Sequence, residues 1–170
     1  MQHDITDGVQ YLIDQGIADP DRVGITGISY GGYATLSGLT FTPDVYAAGA
    51  SYVGPSNLLT LLNSIPPYWA PIKKTFHKRV GNPEKPEEKK RLKRQSPFFH
   101  AENIDDPLLV IQGANDPRVK KQESDQIVVA ARENDVPVQY LVAPNEGHGF
   151  RKENNSLAVA AQLERFFGEH

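Results

Sequence analysis

The sequence contains no cysteine. This absence excludes disulfide bridges, thiolate nucleophiles and cysteine-based zinc sites. Long apolar runs are also missing, and the polar N-terminal residues include no basic segment followed by an apolar one, so we expect neither a transmembrane helix nor a signal peptide. The formal net charge is only −3, which gives no overall attraction to phosphate backbones or anionic lipids. We therefore expect no nucleic acid and no membrane as partners, and the cytoplasm is the favoured location.

Short apolar segments alternate with segments of helical periodicity along the 170 residues. The apolar segments, several of them rich in β-branched residues, predict buried strands at residues 22–27, 46–53, 107–112 and 138–143. Apolar residues at helical spacing predict helices at residues 5–15, 30–39, 57–62, 122–134 and 156–167. We therefore predict a single α/β domain over residues 1–170, with a mainly parallel sheet of about four strands flanked by helices.

The first and last predicted helices are amphipathic, and each is expected to pack one apolar face inward. In the first helix this face consists of Ile5, Val9, Leu12 and Ile13. In the last helix it consists of Leu157, Ala160, Ala161, Leu163, Phe166 and Phe167.

Residues 73–94 are highly charged. Lysines and arginines are mixed there with three glutamates, Glu84, Glu87 and Glu88. This mixture predicts a solvated helical face or a lid rather than a nucleic-acid-binding surface.

A serine flanked by glycines follows the first predicted strand. The segment Gly27-Ile28-Ser29-Tyr30-Gly31 matches Gly-x-Ser-x-Gly and lies between a predicted strand and a predicted helix. In this context the glycines allow a tight turn that exposes the serine hydroxyl. The backbone amide of Tyr30, at the start of the helix, is then placed to donate to an oxyanion. The alternative is an ordinary glycine-rich turn.

Two further polar residues follow later strands. Asp116 comes just after the strand at residues 107–112, and His148 lies between two glycines after the strand at residues 138–143. Alone, Asn-Asp-Pro is common in plain turns, and a loop histidine is often simply exposed. Together, the chain order Ser29, Asp116, His148 matches the α/β-hydrolase arrangement. We predict that His148 takes the proton of Ser29 and that Asp116 orients the imidazole.

The segments Gly27-Ile-Ser-Tyr-Gly-Gly-Tyr33, Gln112-Gly-Ala-Asn-Asp-Pro-Arg-Val119 and Glu146-Gly-His-Gly-Phe150 extend these motifs. Together they resemble the S9 prolyl oligopeptidase family, especially its acylaminoacyl-peptidase and dipeptidyl-peptidase branches. The resemblance covers nearly the whole chain and implies the C-terminal portion of an α/β-hydrolase fold. It also implies hydrolysis of short peptides or acyl-peptides without a metal or cofactor. One departure is Gln112, where the family commonly has histidine.

The resemblance further implies an N-terminal β-propeller and an eight-stranded hydrolase domain, of which this chain matches the part beginning before the fifth strand. A tyrosine on an upstream loop, which completes the oxyanion hole in the family, has no counterpart here. Loss of one such donor costs roughly 100- to 1,000-fold in turnover. The strand at residues 23–27 would have an unpaired edge, so we expect a homodimer through this edge or association with an N-terminal portion.

Three functions fit these residues. A serine-type peptidase is the first, and a carboxylesterase-type hydrolase with the same triad is the second, because the triad serves esters and amides alike. A catalytically weak or inactive fragment acting as an interaction module is the third. For a peptidase, the candidate residues for an apolar substrate pocket are Tyr52, Val53, Tyr68 and Trp69, and core or lid packing is the alternative explanation for them.

Overall fold

The computed structural model describes residues 2–65 and 67–170. At its centre lies a sheet of four parallel strands in the order β1-β2-β3-β4. The strands are β1 (Gly24–Ile28), β2 (Ala48–Tyr52), β3 (Leu108–Gly113) and β4 (Val138–Ala143). The predicted α/β architecture with a parallel sheet of four strands is therefore confirmed.

The described residues form seven α-helices and four short 3-10 helices. The α-helices are α1 (Gln2–Asp14), α2 (Tyr30–Phe41), α3 (Leu58–Asn63), α4 (Ala70–Arg79), α5 (Pro86–Arg94), α6 (Lys121–Glu133) and α7 (Glu153–Glu169). The 3-10 helices are Pro20–Arg22, Pro43–Val45, Pro67–Trp69 and Pro97–Asn103. None of the helices within residues 2–65 and 67–170 is long and apolar enough to cross a membrane.

Helices cover both faces of the sheet. On one face, α2 and α6 pack on the strands through a core that includes Ile25, Leu36, Leu39, Leu108, Val110 and Ile127. On the other face, α7 packs on the strands through a core formed by Ala48, Ala50, Leu109, Ile111, Val159 and Phe166. Because β3 is covered on both faces, all of its residues are buried, which explains its continuous apolar sequence.

The inward face of α7 differs from the predicted one. Val159, Leu163 and Phe166 face the sheet, and Phe167 is partly buried beside them. Three residues that were predicted to face inward are exposed, namely Leu157, Ala160 and Ala161. At 3.6 residues per turn, positions 159, 163 and 166 share one side, whereas 157 and 161 lie opposite. The prediction was wrong for these three residues because both sides of α7 carry small or apolar side chains.

The apolar face of α1 is also less buried than predicted. No residue of α1 is fully buried, and only Val9 packs partly against the core beneath α2. Ile5 and Leu12 are 37% and 42% exposed. The predicted inward packing of α1 was therefore wrong for most of this face, which stays at the surface of the described chain.

Helices α3, α4 and α5 form a cap on the side of the sheet where α2 begins. Leu58, Leu62 and Leu92 are the buried residues at the centre of this cap. Tyr33, in the first turn of α2, and Phe76 of α4 pack against them. The cap thus lies beside the turn that connects β1 to α2.

Candidate active site

Ser29 occupies a sharp turn between β1 and α2. Its backbone has φ 59° and ψ −116°, a conformation that non-glycine residues rarely adopt. The Ser29 amide donates to the carbonyl oxygen of Tyr52 in β2 (2.8 Å), and the Ser29 carbonyl accepts from the Tyr33 amide (3.1 Å). These bonds hold the strained turn from both sides, in the geometry that exposes the serine of a strand-turn-helix motif.

Close backbone contacts require two of the glycines around this turn. A Cβ atom on Gly27 would lie 2.5 Å from the backbone of Gly31, and one on Gly32 would lie 2.7 Å from Cα of Gly54. In contrast, a Cβ atom on Gly31 would meet no atom within 4 Å. The expected need for glycine therefore holds for Gly27 and Gly32, whereas Gly31 has space for a side chain.

The carboxylate of Asp116 is oriented by the backbone of its own loop. Its Oδ1 atom accepts hydrogen bonds from the amides of Arg118 (2.8 Å) and Val119 (2.9 Å). The side chain is completely buried. The second oxygen, Oδ2, points toward His148.

Gln112, at the end of β3, connects this loop to α6. Its Nε2 atom donates to the carbonyls of Gly113 (2.9 Å) and Val119 (3.2 Å), and its Oε1 atom accepts from the hydroxyl of Ser124 (2.8 Å). Although the resembling family commonly has histidine here, Gln112 is fully buried and its donors are both used. Gln112 therefore stabilises the Asp116 loop at the position where the family commonly has histidine.

His148 joins the other two residues. Its Nδ1 atom lies 2.7 Å from Oδ2 of Asp116, and its Nε2 atom lies 2.9 Å from Oγ of Ser29. Because an ionised carboxylate can only accept, Nδ1 carries the proton and Nε2 accepts from the serine hydroxyl. The three side chains, which were predicted from three separate segments, form one hydrogen-bonded chain.

Backbone contacts join the loop after β3 to the loop after β4. The amide of Asn115 donates to the carbonyl of Glu146 (2.9 Å), and its side-chain amide donates to the carbonyl of Pro144 (2.8 Å). A Cβ atom on Gly113 would overlap the carbonyl oxygen of Gly147. The end of β3 and the loop after β4 therefore pack so closely that position 113 needs a glycine.

Glu146 anchors the histidine loop, a role that the sequence reasoning missed. Its carboxylate accepts from the side-chain amide of Asn155 (2.8 Å) and from the backbone amides of Lys152 (2.9 Å) and Arg151 (3.1 Å). These hydrogen bonds, the one from Asn155 foremost, hold the pKa of Glu146 below its ordinary value. The available signal was a glutamate directly before Gly-His-Gly.

Tyr52 contacts the same loop from the end of β2. Its hydroxyl accepts from the amide of Phe150 (2.5 Å), and the two rings meet edge to face with centroids 5.2 Å apart. Burial raises the pKa of Tyr52, so its hydroxyl stays protonated. The next residue, Val53, is completely buried with φ 45°, and its amide donates to the carbonyl of Ile111 (2.8 Å).

A serine hydroxyl that donates to a neutral imidazole, itself oriented by a buried carboxylate, is suited to nucleophilic attack on an acyl carbon. Across residues 2–65 and 67–170, no group of three or more histidine, aspartate or glutamate side chains could hold a metal ion.

The model of the prolyl oligopeptidase family of peptidases matches residues 1–170. The chain belongs to the prolyl oligopeptidase family. The resemblance carried by the three sequence motifs is thereby confirmed.

Relatives within the prolyl oligopeptidase family agree in sequence and in fold. The chain is 51% identical over 169 residues to dipeptidyl aminopeptidase BIII of Pseudoxanthomonas mexicana, covering 99% of this chain and 24% of that protein. A puromycin-hydrolysing peptidase of Mycobacterium tuberculosis superimposes with a TM-score of 0.87 at 33% identity, over 95% of this chain and 24% of the other. Acylaminoacyl peptidase of Pyrococcus horikoshii gives a TM-score of 0.77 at 30% identity, over 97% and 28%. The chain thus spans about a quarter of the length of these relatives.

Tyr68 and Trp69, the other two pocket candidates in this family member, lie in the 3-10 helix Pro67–Trp69 before α4. Tyr68 is 65% exposed. The ring of Trp69 stacks on Phe76 of α4 (6.0 Å, 18°), and the guanidinium of Arg118 lies over it at 5.5 Å. Because Arg118 follows Asp116 by two residues, Trp69 stands beside the aspartate loop.

A buried glutamate connects the cap to α6, and sequence reasoning missed it as well. The carboxylate of Glu123 accepts from the amides of Ser56 (3.0 Å) and Asn57 (2.9 Å), from the hydroxyl of Thr60 and from the side chain of Gln126 (3.0 Å). Burial raises the pKa of Glu123. Through these bonds Glu123 holds the loop between β2 and α3. No sequence motif signals this role, because most of its partners are backbone and hydroxyl groups distant in sequence.

Proposed function

We propose that this chain is the part of a serine peptidase that carries the Ser29, His148 and Asp116 triad, and that it cleaves short peptides or acyl-peptides. The observation that carries the proposal is the hydrogen-bonded chain from Asp116 Oδ2 to His148 Nδ1 (2.7 Å) and from His148 Nε2 to Ser29 Oγ (2.9 Å). Membership of the prolyl oligopeptidase family supports the peptidase reaction.

In the proposed reaction, Oγ of Ser29 attacks the carbonyl carbon of the scissile amide while Nε2 of His148 takes the hydroxyl proton. Asp116 stabilises the imidazolium that forms. The C–N bond then breaks as His148 returns the proton to the leaving amine, which leaves an ester on Ser29. A water molecule, deprotonated by His148, hydrolyses this ester and restores the serine.

The amide of Tyr30 is proposed as an oxyanion donor. Tyr30 is the first residue of α2 and directly follows Ser29. The positive end of the helix dipole favours negative charge at this position. A donor of this kind contributes about 100- to 1,000-fold to turnover.

The substrate pocket is proposed to lie between the loop after β2 and the Trp69 region. Tyr52, the last residue of β2, borders the first, and Tyr68 and Trp69 belong to the second. Val53 is completely buried, so packing explains it better than contact with a substrate. The names of two relatives, dipeptidyl aminopeptidase and acylaminoacyl peptidase, favour short peptides or acyl-peptides as substrates. A comparison of aminoacyl-anilide and ester substrates at equal concentration tests this class, and turnover of the ester alone would favour the esterase alternative.

Reaction with a fluorophosphonate probe, measured by intact mass, tests the triad. We expect the wild type to gain one probe, and Ser29→Ala and His148→Ala to gain none while keeping the circular dichroism spectrum of the wild type. Ser64→Ala and His3→Ala are matched controls, because Ser64 donates to the carbonyl of Leu61 in α3 and His3 is exposed on α1. Equal labelling of Ser29→Ala and the wild type would refute the proposal.

We also propose a homodimer through the edge of β1. Within the described residues, β1 pairs with β2 alone, so the backbone groups of Gly24, Thr26 and Ile28 point away from the sheet. Sedimentation at increasing concentration should show a dimer that Thr26→Pro dissociates. A wild type that stays monomeric would contradict the homodimer. If the monomer instead binds a separately supplied N-terminal portion and Thr26→Pro abolishes this binding, the edge of β1 pairs with that portion.

A further inference from the structure

The positive charge of this chain is concentrated in the cap. Residues 73–94 contain ten of the 18 lysines and arginines but only three of the 21 acidic residues. The segment therefore has a net charge of +7, whereas the rest of the chain has −10. The small net charge of the whole chain is therefore the sum of one strongly basic segment and a strongly acidic remainder.

The basic cap lies at the end of the molecule that holds Ser29. Phe76 of α4 and Tyr33, which follows Ser29 by one helical turn, pack against the same buried leucines of the cap. Trp69, directly before α4, contacts both Phe76 and Arg118 of the aspartate loop. A rise of about 1.5 Å per residue then puts the lysines of the next turn about 6 Å along α4 from Trp69.

Several cations of the cap have no acidic partner. The ion pairs of α5 use Lys85, Lys90 and Arg91 with its own glutamates. In the described part of the chain, Lys73, Lys74 and Lys78 of α4 are exposed and take part in no ion pair. Unneutralised charges of one sign beside a binding cleft attract ligands of the opposite sign.

We propose that the exposed face of α4 formed by Lys73, Lys74 and Lys78, here called the α4 lysine face, binds an acidic segment of the peptide substrate. The inference rests on the proposed function, and it adds a preference that the triad alone does not provide. In this proposal, a peptide with its scissile bond at Ser29 extends along the cap, and glutamates or aspartates a few residues from the scissile bond contact these lysines. The partner is a peptide rather than a nucleic acid, because the negative remainder of the chain repels a long polyanion.

The expected effect is electrostatic and therefore depends on salt. Attraction between exposed charges is screened over a Debye length of about 10 Å at 0.1 M ionic strength and about 3 Å at 1 M. We expect the dissociation constant to be about tenfold lower for an acidic peptide than for its neutral counterpart at low salt, and the two constants to converge at about 1 M.

Fluorescence anisotropy of two labelled peptides tests the inference. One is rich in glutamate, and in the other every glutamate is replaced by glutamine. Binding is measured with the Ser29→Ala chain, so that no peptide is consumed. The test variant combines Lys73→Gln, Lys74→Gln and Lys78→Gln, which keep the helix-forming tendency of α4.

A matched control removes three positive charges at the opposite end of the sheet. Arg22 precedes β1, Arg132 donates to the carbonyl of Val138 at the start of β4, and Arg165 lies near the end of α7. All three are exposed. The combination of Arg22→Gln, Arg132→Gln and Arg165→Gln therefore changes the net charge equally without altering the α4 lysine face.

We expect the lysine variant to lose the preference for the acidic peptide and the arginine control to keep it. Equal binding of the two peptides, or an unchanged preference in the lysine variant, would overturn the inference. So would tighter binding of single-stranded DNA or of anionic vesicles than of the acidic peptide.

Hydrolysis of both peptides by the wild type separates this inference from the proposed function. The α4 lysine face should raise kcat/KM for the acidic peptide through KM, with kcat unchanged. Selective binding without hydrolysis would refute the proposed function alone, whereas hydrolysis of both peptides with equal KM would refute the α4 lysine face alone.

Discussion

Replacement of Gly113 by alanine should separate His148 from Ser29 without touching either residue. A Cβ atom on Gly113 would overlap the carbonyl oxygen of Gly147 and lie 2.8 Å from that of Glu146. Since both obstacles are backbone atoms, the histidine loop has to move rather than a flexible side chain. Overpacking of this kind costs about 1 to 3 kcal/mol of the free energy of unfolding. A displacement of roughly 1 Å at the catalytic base costs about 100-fold in rate.

The assay combines a thermal melt with the rate of fluorophosphonate labelling. For a chain of this size, each kcal/mol lost lowers Tm by about 2 to 4 °C. Gly147→Ala is the matched control, because a Cβ atom on Gly147 would lie 3.8 Å from the carbonyl oxygen of Asn115, an ordinary contact. Gly113→Ala should be slower and less stable than this control. If both variants have the Tm and the labelling rate of the wild type, the two loops do not pack as closely as the structure indicates.

Three further predictions concern the turn that carries Ser29 and the loop that carries His148. Gly27→Ala should lower the free energy of unfolding by about 1 to 3 kcal/mol, whereas Gly31→Ala should leave it unchanged or raise it slightly. Urea titration measures both values, and equal losses would contradict the difference in close contacts between these two glycines. Tyr52→Phe removes the acceptor of the Phe150 amide, so it should lower the free energy of unfolding by about 1 kcal/mol and slow labelling by the probe. An unchanged labelling rate would show that this hydrogen bond does not position the loop that carries His148. Glu146→Gln should lower Tm at neutral pH, and the difference should shrink below the ordinary glutamate pKa of about 4.3. The reason is that the lowered pKa of Glu146 stabilises the folded chain above that value, and this stabilisation is lost as pH falls through the folded-state pKa. A Tm difference that is independent of pH would contradict this role.

The sheet was predictable because its strands are buried. The β4 strand was predicted at its observed residues, and β3 differs from its prediction by one residue at each end. Parallel strands covered on both faces need continuous apolar sequence, which leaves a strong pattern. The faces of α1 and α7 were harder to predict, because Leu157 and Leu12 fit an apolar stripe as well as the residues that are in fact buried. Which stripe is used depends on the neighbouring element, and that information is not local.

The candidate site shows the same division between local and distant information. Ser29, Asp116 and His148 could be proposed because each lies in a short motif at the end of a strand. The contacts that hold them together mostly involve backbone groups, such as the bond from the Asn115 amide to the carbonyl of Glu146, which any side chain would allow. Such contacts leave a trace in the sequence only where they exclude a side chain. Gly113, the last residue of β3, is such a position. The result for Gly113→Ala therefore tests whether a glycine at the end of a strand can indicate that distant loops pack together into a site.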